Sequence, residues 1–294
     1  MTSAGIAATV STRFTQSAAM ELQAALQSLH LFPPDPLGAA HFYSSTYDMA
    51  VTPVQNGYWC QGPGRQLELC TGPANQPHYA QFALHNDAAW QAFVIRVAQL
   101  PHHGLPAAFS GSLQAICLKD PDGNRMVFAP PGASAEVAAT RVLPAILQHF
   151  GMRTARLPAM LDFYMQQLGF VLSDVVKDAA GTLRACFLRT DVMHHALALF
   201  FASEGRFDHL SFEAPDWASM RVWGDHMATM RVPIVWGIGR HGPGNDVFFM
   251  VSDPDGNLAE ISSEIEHCES GRPAGLWPHE ERTLNVWGKA IMRS

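Results

Sequence analysis

DPDGNLAEIS, residues 253–262, and DPDGNRMVFA, residues 120–129, are two versions of one hairpin. In each, a turn built from Asp, Pro, Gly and Asn separates short apolar runs, the chemistry that a tight β connection requires. A unit that recurs in this way constrains architecture more than any single motif does. The copies differ on the strand that follows the turn, where one has Val127 and the other Glu260. A carboxylate on a strand whose copy carries valine needs a partner.

Around the second hairpin the pattern is plain. ILQHFGMRT (146–154) reads as a strand, and LPAMLDFYMQQLGF then sets Leu157, Met160, Leu161, Tyr164 and Leu168 at helical spacing and stops at Gly169. GFVLSDVVK, LRACFLRT and HHALALFFA follow as strands. The order restarts with the strand DHLSFEA, a helix DWASMRVWGDHMATM capped by Asp216, and the strands VPIVWGI, DVFFMVS and LAEISS. That is βαβββ written twice.

The first half carries the same order more faintly. IAATVSTRF reads as a strand, SAAMELQAALQSL as a helix and QLELCTG as a strand. HYAQFAL leads into the helix DAAWQAFVIRVAQL, and LQAICLKDPDGNRMVFA closes the unit. Residues 32–64, rich in Pro and Gly, have no clear register, and APPGASAEVAAT (129–140) reads as a linker. The expectation is an α+β protein of two tandem modules, each of paired βαβββ units forming a curved mixed sheet. The N-terminal module covers 1–130 and the C-terminal one 141–266, while 267–294 is a tail packing on the module or a neighbouring subunit.

A net charge of −7 and a pI near 6.0 argue against nucleic acid and anionic membrane as partners, which reward clustered Lys and Arg. No apolar run is long enough to span a bilayer, and the first residues lack the basic start and apolar block of a secretion signal. The five cysteines are scattered with no CxxC, as expected of reduced thiols in a cytoplasmic protein. Charged residues are only 15%, which leaves neutral surface for a homo-oligomer.

Aligning the repeats sets Glu260 against Val127, His209 against Gln81 and His149 against Thr9. One module thus has His, His and Glu on its first, fifth and eighth strands, where the other has Thr, Gln and Val. Two neutral imidazoles and one carboxylate with open positions beside them form the triad of non-haem Fe(II) sites. One strand histidine alone is ordinary packing; three differences at equivalent positions point to a metal.

From His241 through Phe249 and DPDG to Glu260, module 146–264 resembles the type I extradiol ring-cleavage dioxygenases of the vicinal oxygen chelate superfamily, which share the glyoxalase/bleomycin resistance/dioxygenase fold. The resemblance implies His149, His209 and Glu260 as ligands of Fe(II), or of Mn(II) in some members, with O2 as co-substrate and a small aromatic diol as substrate. It implies His195, in HHALAL, as the catalytic acid–base on a strand beside the open face, with His194 turned to the other side of the sheet as a packing or surface residue. His241 matches a histidine that hydrogen-bonds substrate. Phe187, Asn245 and Asp246 fall where the family lines its pocket or supports that histidine, and Trp277 and Pro278 where a C-terminal segment closes it.

Met250 stands where the family has Tyr, and a thioether cannot donate a hydrogen bond. Another residue supplies that donor, or the substrate is atypical, or Met250 fills a core gap and catalysis is lost. Two further readings use the same fold: a glyoxalase-like metal-dependent isomerase or lyase, and a metal-free small-molecule-binding protein. The complete His, His, Glu set in one module, with His195 and His241 beside it, favours the dioxygenase.

Overall fold

The computed structural model describes residues 22–106, 109, 111–132 and 143–292. In the first half, β1 (Ala24–Leu31), α1 (Pro36–Tyr47), β2 (Ala50–Val54), β3 (Gly57–Gly62) and β4 (Arg65–Cys70) form one βαβββ unit. After β5 (Pro77–Leu84) and α2 (Asp87–Val97) come only β6 (Ile116–Lys119) and β7 (Arg125–Ala129), with a lone bridge from His103 to Cys117 where a third strand would pair. The second half is complete. β8 (Ile146–Thr154), α3 (Leu157–Asp162) extended by a wide turn to Leu168, β9 (Val171–Lys177), β10 (Leu183–Arg189) and β11 (Leu197–Phe201) make its first unit. β12 (Arg206–Glu213), α4 (Trp217–Thr229), β13 (Trp236–Arg240), β14 (Val247–Ser252) and β15 (Leu258–Ser263) make its second. The tail adds β16 (Gly275–Pro278), parallel to β9, and a short helix α5 (Glu281–Leu284).

The sheets repeat one order: β2-β3-β4-β1-β5-β7-β6 and, in matching positions read from the other end, β13-β14-β15-β12-β8-β11-β10-β9-β16. Both are mixed, as expected. Three readings of the first half are corrected. Residues 24–29, expected at the end of a helix, belong to strand β1; Leu26, Leu29 and Leu31 suit a strand with the irregularity found between Leu26 and Ser28 as well as they suit a helix face. The unregistered stretch 32–64 holds α1, β2 and β3. Val127 pairs with Gln81 as Glu260 pairs with Ser211, and Gln81 and Ser211 pair with Ser28 and His149. The counterparts of His149 and His209 are therefore Ser28 and Tyr79, whereas Thr9 lies outside the described residues.

Each DPDGN turn is closed by its first aspartate. Asp120 Oδ1 accepts from the backbone N–H of Asp122 and Asn124, and Asp253 Oδ1 accepts from Asp255 and Asn257 in the same way. The second oxygen of each reaches across the pseudo-repeat: Tyr43 of α1 donates to Asp253 Oδ2, and Tyr164 to Asp120 Oδ2, both at 3.1 Å. All four side chains are buried. Burial pushes the Asp120 carboxyl up to about 6, so its ionisation works against the fold as pH rises from about 4 to 6. Replacing Tyr43 or Tyr164 with Phe is expected to lower unfolding free energy by about 1–2 kcal/mol near neutral pH, because a buried carboxylate loses a donor. The two losses should add, and urea denaturation of both single variants and the double variant checks this.

One apolar core joins the halves, with Phe82 against Phe150 and Phe170, and Tyr47 against Phe212 and Trp223. Among the described residues, no helix is long and apolar enough to cross a membrane.

Candidate metal centre

Three neighbouring strands, β8, β12 and β15, set His149, His209 and Glu260 on one face of the second sheet. Their side chains are 0–3% exposed. The Nε2 atoms of His149 and His209 lie 3.1 Å apart, and Glu260 Oε1 is 3.9 Å from His149 Nε2. Gly151, paired with His209 across β8 and β12, leaves the space the imidazole fills; a Cβ there would run into the ring. In the first sheet His30 stands at that place and stacks on Tyr79 at 3.6 Å, an aromatic pair in place of the glycine and imidazole.

What stands behind the imidazoles decides what their inner nitrogens can do. Gln148 Nε2 donates to the His195 carbonyl at 2.5 Å, which turns Gln148 Oε1 toward His149 Nδ1. Asp208 Oδ1 lies 2.6 Å from His209 Nδ1 and is itself held by Arg153 Nε at 2.6 Å. Both outer partners only accept, so both Nδ1 atoms carry the proton. In the neutral rings the two Nε2 lone pairs then face one another across 3.1 Å, beside a carboxylate. That arrangement is repulsive on its own and matches a divalent cation held between the three groups. Donor set and orientation both fit a metal. The carboxylate is braced in turn: Ser211 Oγ donates to Glu260 Oε1 at 2.9 Å, and Ser211 meets Ser262, which donates to Glu213.

His195 is buried beside this group, its ring centroid 4.2 Å from that of His149. It lies just before β11, not on the strand, so strand alternation does not govern its neighbour. His194, expected on the opposite side, is fully buried with Nδ1 3.0 Å from His195 Nδ1. Burial, then the imidazoles of His149, His194, His209 and His241, hold the His195 pKa well below the usual histidine range. Phe187, on β10, meets the His195 ring edge-on at 5.2 Å.

His241 reaches in from the loop between β13 and β14, with Nε2 3.6 Å from Glu260 Oε2. It stacks on Phe248 at 3.7 Å and gives Nδ1–H to the Leu284 carbonyl at 2.6 Å. Asp246 is fully buried, with a carboxylate oxygen within 4.8 Å of a ring nitrogen of His241 and of a Glu260 oxygen. Burial, with Glu260 and Glu213 adding to it, holds its carboxyl above the usual range against the pull of His241. Met250 pairs with Glu260 in the strand register, so it shares that face, and it packs with Trp236, Phe248 and Leu284.

Two expected site residues are not brought in. Asn245 is exposed, at a left-handed φ of 55°, its carbonyl taking Arg240 Nη1. Pro278 is exposed on β16, where alternation sends it away from the sheet face that Trp277 meets. Trp277 is half-buried and donates Nε1–H to Asp174 at 2.7 Å. Sequence reading missed Gln148, Asp208, Ser211, Gly151 and Asp174. Gln148 and Asp208 each directly precede a ligand, which was the available signal.

The profile of the glyoxalase/bleomycin resistance protein/dioxygenase superfamily matches residues 146–261. Metapyrocatechase 2 of Cupriavidus necator is 31% identical over 204 residues, 62% of this chain and 62% of that protein. The match thus spans less than two thirds of that relative's length. Biphenyl-2,3-diol 1,2-dioxygenase 3 of Rhodococcus globerulus is 30% identical over 160 residues, 49% of this chain and 76% of that one. Among solved structures, homoprotocatechuate 2,3-dioxygenase of Arthrobacter globiformis superposes with a TM-score of 0.76 at 20% identity, covering 96% of this chain and 93% of that chain.

Proposed function

The chain belongs to the glyoxalase/bleomycin resistance protein/dioxygenase superfamily, and from that premise we propose that it is an extradiol ring-cleaving dioxygenase acting on a small aromatic diol. The observation that carries this reading is the pair of inward Nε2 lone pairs beside Glu260, with His195 as a neutral base at the edge of the same group. His149, His209 and Glu260 would hold Fe(II). When bound, such an ion acidifies a coordinated diol hydroxyl and brings diol and O2 together at one centre.

The residues supply the rest. Nε2 of neutral His195 accepts the proton of the second hydroxyl and returns it to the product. The edge of Phe187 packs beside His195, where an aromatic ring would lie. With Nδ1–H tied to Leu284, neutral His241 presents an acceptor to a substrate hydroxyl; once protonated, it donates to an oxygen gaining charge. Burial of the whole group excludes bulk water from those transfers.

Met250 removes one donor from the face of Glu260. Met250→Tyr is expected to shift catechol kcat/KM or substrate order by about tenfold, near the value of one hydrogen bond to a charged group. Steady-state kinetics on a panel of substituted catechols checks it; an unchanged profile would put position 250 outside the site. The reading itself is tested by O2 uptake and formation of a yellow ring-fission product when Fe(II)-loaded protein meets that panel. Absence of O2 uptake with every catechol would refute it.

A further inference from the structure

Behind His195 lies a chain of buried groups that the reaction above does not use. His194, the neighbour in sequence, turns its ring perpendicular to that of His195, at 88°, and brings Nδ1 to 3.0 Å from His195 Nδ1. Its Nε2 lies 3.2 Å from Asp174 Oδ2. Asp174, fully buried on β9, also accepts Trp277 Nε1–H at 2.7 Å on Oδ2, and Gly275 N–H at 3.0 Å and Arg272 Nη1–H at 3.1 Å on Oδ1. Arg272 is fixed by two bonds to Glu266, whose carbonyl takes the His194 backbone N–H at 2.9 Å. Against the effect of burial, the contacts with His194, Trp277 and Arg272 keep the Asp174 carboxyl below its usual range, so it is ionised.

Proton positions follow from the carboxylate outward. Asp174 Oδ2 lies 3.2 Å from His194 Nε2 but off the line of its N–H, so the contact is a charge pairing rather than an aligned hydrogen bond, and an ionised carboxylate there favours the proton on Nε2. With one proton on the His194 ring, held at Nε2, its lone pair is on Nδ1, and the atom 3.0 Å away, His195 Nδ1, is the donor. That leaves the lone pair of His195 on Nε2. We propose that Asp174 and His194 act as positioning residues that fix the tautomer and ring orientation of His195, and that the C-terminal segment, through Trp277 and Arg272, holds Asp174 for this task. The inference rests on the reading of His195 as the substrate-facing base. In turnover the diol proton goes to His195 Nε2, the Nδ1 proton stays in the bond to His194, and Asp174 balances the positive charge. Return of the first proton to product restores the starting state, with no net proton gained or lost. The logic is that of an aspartate orienting a catalytic histidine, here with a second histidine interposed.

The test uses iron-loaded protein and steady-state kinetics on one catechol that the wild type turns over. In Asp174→Asn the amide donates to His194 Nε2, reversing both tautomers. kcat should fall by about 10²- to 10⁴-fold, with KM and iron content unchanged. His194→Leu should do the same, whereas His194→Asn, whose amide oxygen accepts from His195 Nδ1 without help from Asp174, should recover at least about tenfold of that loss. Adding Asp174→Asn to His194→Asn should then cost less than about threefold. A kcat for Asp174→Asn within about threefold of wild type overturns the proposal, as does an equal loss in both backgrounds, the mark of a merely structural prop. Should Asp174→Asn fail to fold, Trp277→Phe carries the test. It removes one bond to Asp174, so kcat should fall about three- to tenfold at constant KM, and an unchanged kcat overturns the proposal. If the wild type consumes no O2 with any catechol, the dioxygenase reading fails and the relay falls with it, an outcome visible before any variant is made.

Discussion

Glu260→Gln is expected to lose its metal and, with it, at least about 10³-fold in catechol turnover, since the ion supplies several kcal/mol of charge stabilisation at about 1.4 kcal/mol per decade of rate. The amide keeps the shape and can keep the bond from Ser211, so the effect is one of charge and donor strength rather than collapse. The stability change should run the other way in metal-free protein. There Glu260 is fully buried near two more carboxyls, Asp246 and Glu213, and both are raised above their usual range by burial with Glu260 adding to it. Metal-free Glu260→Gln should therefore melt at or above metal-free wild type. Added Fe(II) or Mn(II) should raise the wild-type midpoint, by about 2.7 kcal/mol of stability at a hundredfold excess over Kd, and leave the variant where it was. Metal analysis and melting curves with and without metal read both effects.

His195→Phe should keep the metal and lose about 10²- to 10⁴-fold in kcat, the usual worth of a positioned acid–base. The ring size is nearly kept, and none of the three ligands is touched. A second signature follows from burial. Folded His195 resists protonation far below the histidine value near 6.5, whereas the unfolded chain takes up a proton there. In the wild type this group alone costs about 1.4 kcal/mol of stability for each pH unit below about 6.5, and the variant lacks that component. Denaturation curves between pH about 7 and 5 should be flatter for His195→Phe. Equal slopes would show that His195 is not held neutral.

The metal triad was legible because the chain contains its own control. A local hairpin signal, DPDGN, fixed Glu260 against Val127, and strand patterns in the second half matched β8, β12 and β15 closely. The register of His209 was off by two residues for a physical reason: Gln81 and Tyr79 point to the same face of β5, and a pattern of period two cannot separate them. The first six residues of β1, AALQSL, satisfy a helical period as well as a strand with an irregularity, which is why the sequence alone points to a helix there. His194 and His195 precede β11, so strand alternation does not hold for them and both rings turn to the same side. Asp174, Trp277 and Arg272 meet His194 only through tertiary structure, and nothing local in the sequence connects them. Gln148 and Asp208 were hidden by a rule that sends neighbours to opposite faces. The register shift between Phe207 and His209 is where β12 departs from that rule and lets Asp208 reach the imidazole beside it.

Among the described residues, two groups of side chains share Glu260: His149 with His209, and His241 with Asp246. A crystal of Fe(II)-loaded protein, measured above and below the iron absorption edge, separates them. One anomalous peak per chain is expected, within bonding distance of His149 Nε2, His209 Nε2 and Glu260. A peak between His241, Asp246 and Glu260, or no ordered iron at all, would contradict it.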